Sequence, residues 1–133
     1  MLTPDQRSFL DGHMWAVLAT SRIDGSPQQS LVGYVADDAG RIIVSTKSYT
    51  AKWRNVLRQP EVSLACVDDR TQLVMYGAAE AIDLDPDRAE LSADVFCRLA
   101  GGERPDPSSL VAALDEQRRT ILRITPRKVV FQT

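Results

Sequence analysis

The feature that most limits the fold of this chain is a series of short, β-branched and apolar segments separated by turn signals. Such segments predict strands, and Asp24-Gly25 is typical of the tight turns that join them. The predicted strands cover residues 14–21, 29–35, 41–46, 62–68, 72–82, 120–124 and 128–131. Strands at this spacing predict a closed or partly closed antiparallel barrel of six or seven strands. The expected class is mainly β, within an α+β arrangement.

Helices are predicted around these strands. Thr3-Pro4-Asp5-Gln6 predicts a capped N-terminal helix that ends near Gly12. A short basic helix follows the third strand and ends before Pro60. Two more helices, at about 87–99 and 109–118, are inserted before the C-terminal strands. The length of 133 residues suits a single domain over 1–133.

The composition limits the classes of function. Sixteen basic and eighteen acidic residues give a net charge of −2, which argues against a general nucleic-acid binder. No apolar run is long enough to span a membrane, and residues 1–11 do not resemble a signal peptide. Cys66 and Cys97 lack CxxC spacing and a neighbouring histidine. We therefore expect free thiols and a cytoplasmic protein.

Catalytic motifs are not recognisable in the sequence. His13 is the only histidine, and no nucleophile motif accompanies it, whereas a hydrolytic triad needs a base oriented by a third group. Potential ligands do not cluster at metal-site spacing, so no metal site is expected. Neither a GxSxG nor a GxGxxG motif is present. By elimination, any chemistry is expected to come from a bound cofactor that the protein positions.

The stretch 42–68 predicts where such a cofactor binds. A strand end rich in hydroxyls leads into the basic helix, and no acid lies between Arg41 and Glu61. The hydroxyls and cations concerned are Ser45, Thr46, Lys47, Ser48, Thr50, Lys52, Arg54 and Arg58. A helix start favours anions through its free N–H groups and its dipole. We hypothesise a site for a cofactor phosphate; the alternative is a solvated basic face on a surface helix.

Five aromatic side chains are candidates to line a planar ring: Trp15, Tyr34, Tyr49, Trp53 and Tyr76. We expect Trp15 to pack in the core. Trp53 lies between two basic residues and is expected either to stack on a ring or to pack in a subunit interface.

Three segments carry a resemblance to a known family: ATSRIDGSPQQSLVGY, VSTKSYTAKWRNVLRQPEVSLACVD and YGAAEAI. They resemble the pyridoxamine 5′-phosphate oxidase-like split β-barrel proteins over about 14–82, and more loosely over 121–131. The resemblance implies a homodimer with two cofactor sites at the subunit interface. It also implies FMN or the deazaflavin coenzyme F420 as the cofactor.

The resemblance further implies which residues contact the cofactor. Thr46 would lie beside it, and Thr50 and Lys52 would reach its phosphate. Asn55, the second residue of the Arg-Asn pair, would be the next contact along the chain, and Arg54 beside it would lie at the site or at its rim. On the second strand, residues 30 and 32 would face the ring and its linker. The complete implied set is Ser30, Val32, Ser45, Thr46, Lys47, Thr50, Ala51, Lys52, Arg54 and Asn55.

Departures from the family pattern bear on the choice of cofactor. Ser30 stands where flavin oxidases of the family carry an arginine that pairs with the FMN phosphate, and such charge-assisted pairs are strong. The F420-binding branch is therefore favoured. Within Thr50-Ala51-Lys52, many members of that branch have an arginine in place of Thr50. No tryptophan follows Trp53, so pyridoxamine phosphate oxidase activity itself is not expected.

The leading hypothesis is an F420-dependent reductase that passes a hydride to an unsaturated or conjugated small molecule. Lys47 or Arg54 would meet a polyglutamate tail, and no catalytic side chain is identified. The alternatives are an FMN-binding oxidoreductase that uses the same anchors, and a cofactor carrier or sensor without turnover. Nucleic-acid binding by the basic helix is disfavoured by the net charge.

Overall fold

The computed structural model describes residues 2–132, and this part of the chain forms six strands and four helices. In chain order they are α1 (Pro4–Asp11), β1 (Trp15–Ser21), β2 (Pro27–Ala36), β3 (Ile42–Lys47), α2 (Ala51–Arg58), β4 (Glu61–Asp68), β5 (Thr71–Ile82), α3 (Asp87–Ala100), α4 (Pro107–Gln117) and β6 (Arg119–Gln132). None of the helices within this range is long and apolar enough to cross a bilayer.

The strands close into an antiparallel barrel in the order β1-β2-β3-β6-β5-β4, and β4 pairs back onto β1. The predicted barrel is therefore confirmed. Alternate residues point inward, because successive side chains of a strand face opposite sides of the sheet. In β1, for example, Ala16 and Leu18 are buried while Trp15 and Val17 face outward. The inward side chains form one apolar core.

The prediction of two separate C-terminal strands is wrong, because β6 runs unbroken from Arg119 to Gln132 through Pro126. A register shift lies between Tyr76 and Gly77 on β5, opposite this proline. A Cβ placed on Gly77 would lie 2.1 Å from the carbonyl oxygen of Thr125. The bulge and the missing side chain let the proline, which has no N–H to donate, remain within the ladder.

The two ends of the barrel are closed by α1 and α2. The N-terminal helix has the predicted capping box between Thr3 and Gln6, and its Leu10 is fully buried. The Tyr34 hydroxyl donates to the Leu10 carbonyl at 2.7 Å. At the other end, α2 places Trp53 and Val56 in the core.

The outer surface of β2, β3 and β6 is covered by α3. Its Val95 packs with Ile43, Ile82 and Ile121 in a second apolar cluster. The chain then passes through α4 into β6, whose first residue, Arg119, pairs opposite Lys47 at the end of β3. This connection brings the α4–β6 junction beside the start of α2.

The predictions for the two tryptophans are wrong. Trp15 is 54% exposed, because its position on β1 faces outward. Trp53 is only 5% exposed and packs in the core of its own barrel, so its ring is not available to stack on a ligand or to form a subunit interface.

Candidate functional site

The start of α2 presents backbone N–H groups without a side-chain cap. Thr50 is the N-cap residue, but its hydroxyl donates to the Lys47 carbonyl at 2.8 Å and makes no bond to the helix. Since that proton is committed, the Thr46 hydroxyl, 3.1 Å away, donates to Thr50. The first N–H groups of a helix have no intrahelical acceptor. The amides of Ala51 and Lys52 therefore remain available to an anion.

Lys52 is a half-buried cation beside this helix start. Burial lowers the pKa of Lys52, and the positive charge of Arg119 lowers it further. Seven other basic side chains in residues 2–132 form salt bridges, but Lys47, Lys52, Arg118 and Arg119 form none. Such uncompensated charge favours an incoming anion.

Arg118 and Arg119 are members of this basic group that the sequence reasoning missed. Lys47 and Arg119 are directly opposite on β3 and β6, and the Ser48 N–H donates to the Arg118 carbonyl at 2.9 Å. Arg119 also approaches the Ser45 hydroxyl at 3.4 Å. The only sequence signal was a pair of arginines just before a predicted strand, and the sequence does not show which strand it pairs with.

Asn55 lies in the same helix but is occupied by structural bonds. It is 6% exposed, and its amide N–H donates to the Thr20 hydroxyl at 3.0 Å. Its carbonyl accepts a hydrogen bond from Arg58 at 2.9 Å, and Arg58 also donates to the Ser21 carbonyl at 2.7 Å. These bonds attach α2 to β1. Arg54 projects from the exposed side of the helix.

The β2 residues of the implied set, Ser30 and Val32, are occupied by contacts within the barrel. The Ser30 hydroxyl accepts from Gln28 at 3.1 Å, and Gln28 in turn accepts from Thr20. Val32 is 4% exposed and packs in the barrel core, so its side chain is not available to a ring and only its backbone remains. The structure thus brings Thr46, Thr50, Ala51 and Lys52 together at the start of α2. Ser45 and Lys47 lie on the outward face of the same strand end. Internal contacts occupy the side chains of Ser30, Val32 and Asn55.

Tyr34 and His13, two acid–base groups elsewhere in the described chain, are engaged in structural contacts. Burial raises the pKa of Tyr34, whose hydroxyl is already bonded to Leu10. His13 lies at the α1 end, between the Phe9 carbonyl and Asp68. Within residues 2–132 no cluster of three or more His, Cys, Asp or Glu side chains has the geometry of a metal site. The arrangement at α2 is therefore suited to binding and orienting an anion rather than to catalysis by its own side chains.

Comparison with known proteins gives a family match along almost the whole chain. The family model described as pyridoxamine 5′-phosphate oxidase matches residues 2–133. Among proteins with curated functions, none matches this chain significantly.

Solved structures with the same fold differ in their described roles. A conserved hypothetical protein of Mycobacterium tuberculosis, Rv2991, has a TM-score of 0.82 and 24% identity, covering 98% of this chain and 84% of its own. A protein named F420 reductase has a TM-score of 0.73 and 22% identity, with coverages of 97% and 98%. General Stress Protein 26 of Bacillus anthracis has a TM-score of 0.66 and 16% identity, with coverages of 93% and 88%. At these identities the likeness shows the fold alone.

Proposed function

We propose, from the premise that this chain belongs to the pyridoxamine 5′-phosphate oxidase family, that it is an oxidoreductase dependent on coenzyme F420. The proposed reaction is reduction of an unsaturated or conjugated small molecule. One observation carries the proposal: the uncapped start of α2, where free N–H groups and two threonine hydroxyls adjoin the half-buried Lys52.

The donor set at this helix start suits a phosphate. The amides of Ala51 and Lys52 offer N–H donors, and the Lys52 ammonium offers a charge-assisted bond. The Thr46 and Thr50 hydroxyls lie beside these donors but use their own protons within the protein, so they shape the strand end of the cradle rather than donate to the phosphate. A phosphate bound there also offsets the cost of keeping Lys52 charged in a partly desolvated place. When bound, the deazaflavin supplies the hydride-transfer chemistry that this chain's side chains lack.

FMN is the alternative cofactor, because the same donors recognise its phosphate. The arginine that would strengthen FMN binding is replaced by Ser30, whose hydroxyl already accepts from Gln28. This substitution favours F420 over FMN. A carrier or sensor that holds either cofactor without turnover uses the same donors and differs only in its reactivity.

We also propose that the protein works as a homodimer whose cofactor sites lie at the subunit interface. An apolar strip covers the outer face of β1, β2 and β4, where Val17 pairs with Leu31 on one side and Ala65 on the other. Trp15 and Val67 extend this strip, and Leu31 is 68% exposed. Burial of such a strip by a second copy is the expected use of a contiguous apolar surface.

Free Cys66 and Cys97 are consistent with a reducing cytoplasm.

The test is a side-by-side fluorescence titration of the purified protein with FMN and F420. We expect F420 to bind more tightly, and Lys52→Ala to weaken binding by about 1.5–3 kcal/mol, the cost of losing a charged hydrogen bond. Arg70→Ala is the matched control, because it removes the same charge at the exposed β4–β5 turn, away from α2. An unchanged dissociation constant in Lys52→Ala would show that the start of α2 is not part of the cofactor site.

A panel of enones with reduced F420 then separates a reductase from a carrier. Turnover of at least one enone is the expected result, and tight binding without turnover of any of them would favour the carrier.

A further inference from the structure

Three basic residues and one aromatic residue lie next to the α2 start, and we call this group the basic corner: Lys47, Arg118 and Arg119 with Tyr49. The Lys47 ammonium lies 5.8 Å and the Arg118 guanidinium 5.9 Å from the centre of the Tyr49 ring. Arg119 stands opposite Lys47 across the β3–β6 pair. Three cations and an aromatic ring from two distant segments therefore share one surface.

This arrangement places like charges together without an internal counter-charge. Residues directly opposite on antiparallel strands have neighbouring side chains, and like charges there are destabilising. No acid in residues 2–132 forms a salt bridge with any cation of the basic corner. The partners of Arg119 are all neutral: the side-chain oxygen of Gln117 at 3.1 Å, the Ser45 hydroxyl at 3.4 Å and the Phe96 ring at 6.0 Å. Within residues 2–132 no contact of the basic corner supplies a negative charge, so either solvent counterions or a bound anion balances its cations.

The basic corner and the α2 cradle use different faces of β3. Thr46 is buried and points into the barrel end, toward Thr50. Ser45 and Lys47 alternate with it and point outward, where Arg119 meets Ser45. One phosphate held by the α2 amides and Lys52 therefore leaves the outward cations for another anionic group.

A buried arginine fixes the position of the corner without belonging to it. Arg88 on α3 is 7% exposed and donates to Asp85 at 2.8 Å and to Asp115 on α4 at 2.7 Å. The same side chain donates to the Arg119 carbonyl at 3.3 Å. Arg88 thus ties α3 and α4 to the first residue of β6. The preceding residue, Arg118, has a left-handed backbone with φ of 56° and turns the chain into that strand.

We propose that the basic corner is a second anion subsite, which takes a carboxylate or phosphate group separate from the phosphate at α2, and that Arg88 is its positioning residue. The proposal rests on the proposed function for its first phosphate. The second group has two possible sources, a charged extension of the cofactor or the molecule that is reduced.

The test compares Arg119→Gln with Arg70→Gln in titrations at fixed low ionic strength, where surface charges are least screened. The probes are FMN, F420 with its carboxylate tail, and inorganic phosphate added to FMN-loaded protein. If the cofactor is the source, Arg119→Gln weakens F420 binding by about tenfold or more and FMN binding by less than about threefold. If the reduced molecule is the source, both cofactors bind nearly as before, while inorganic phosphate binds the wild type and not Arg119→Gln.

Two results would overturn the subsite. In the first, Arg119→Gln has the same affinity as Arg70→Gln for all three probes. In the second, Arg119→Gln weakens the binding of FMN as much as the binding of F420. The second would assign Arg119 to the α2 phosphate. If neither cofactor binds the wild type, the proposed function fails, and inorganic phosphate then tests the corner in the cofactor-free protein. In that case the subsite requires phosphate binding to be lost in Arg119→Gln and kept in Lys52→Ala.

The positioning role of Arg88 is tested with Arg88→Lys, which keeps the charge but cannot reach all three oxygen partners in a fixed fork. We expect Arg88→Lys to weaken the binding of the same probe whose binding Arg119→Gln weakens, and to leave the affinity for FMN unchanged. A loss of thermal stability with normal affinity for every probe would show that Arg88 is only structural.

Discussion

Gly77 occupies a point on β5 where any side chain would collide with the backbone of β6, so we expect Gly77→Ala to be strongly destabilising. The new Cβ would lie 2.1 Å from the Thr125 carbonyl oxygen and 2.9 Å from the Thr125 carbonyl carbon. Relief requires the two strands to move apart, because neither partner atom is the mobile tip of a side chain. Overpacking that forces backbone shifts costs about 1–3 kcal/mol or more, so we expect a loss of about 3 kcal/mol.

Gly33→Ala is the matched control, because it introduces the same methyl group against a mobile partner. Its Cβ would lie 2.6 Å from a terminal methyl carbon of Leu99, which can rotate away. The unfolded chain also loses entropy in both variants, which favours the folded state by about 0.4–1 kcal/mol. We therefore expect Gly33→Ala to change the free energy of unfolding by less than about 1.5 kcal/mol.

The measurement is urea unfolding of both variants and the wild type, followed by circular dichroism and tryptophan fluorescence. Coincident transitions by the two probes are needed, because the free energies assume two-state behaviour. If Gly77→Ala stays within about 1 kcal/mol of the wild type, well below the expected overpacking cost, then the close β5–β6 approach does not exist as described. Equal losses of unfolding free energy in Gly77→Ala and Gly33→Ala would refute the reasoning that a rigid backbone neighbour makes the new methyl group more costly than a mobile side-chain neighbour does.

Three further predictions concern the ends and the outer face of the barrel. The Phe9 carbonyl and then Asp68 raise the pKa of His13, so this contact should stabilise the fold below about pH 6.5 and lose its contribution as pH rises through the folded-state pKa. Urea unfolding across this pH range should show the free energy of unfolding falling by about 0.5–1 kcal/mol in the wild type. This fall should be absent in His13→Gln, and identical pH profiles of the two proteins would contradict the prediction. Asn55→Ala should cost about 1–3 kcal/mol, because the Thr20 hydroxyl and Arg58 lose a buried partner, and it should weaken cofactor binding; unchanged stability would show that α2 is held otherwise. Leu31→Glu should yield a monomer in analytical ultracentrifugation, because it places a charge in the proposed dimer strip, and a dimer of normal affinity would place the interface elsewhere.

The elements that the sequence predicted well are those specified by neighbouring residues. The capping box of Thr3 and Gln6 formed as expected, and the observed α2 ends ahead of Pro60. Alternation and turn residues likewise located the first five strands with small errors at their ends. Each of these signals acts within a few residues of the chain, so no knowledge of distant contacts is needed to interpret it.

The errors arose where distant segments decide the outcome. Pro126 indicated a break between two strands, but Gly77 on the neighbouring strand leaves space for it, and β6 continues. Trp15 and Trp53 have identical side chains, yet their positions in the fold leave Trp15 exposed and bury Trp53. Neither coverage nor strand pairing can be inferred from local periodicity.

For the candidate site, the sequence by itself determined that hydroxyls and cations gather where β3 passes into α2. Tertiary structure alone decided which of them face one another: it buried Val32, committed Asn55 to β1, and added Arg118 and Arg119 from the far end of the chain. The physical reason is that a strand end acquires its neighbours through ladder pairing, and the β3–β6 pair joins residues more than half the chain apart.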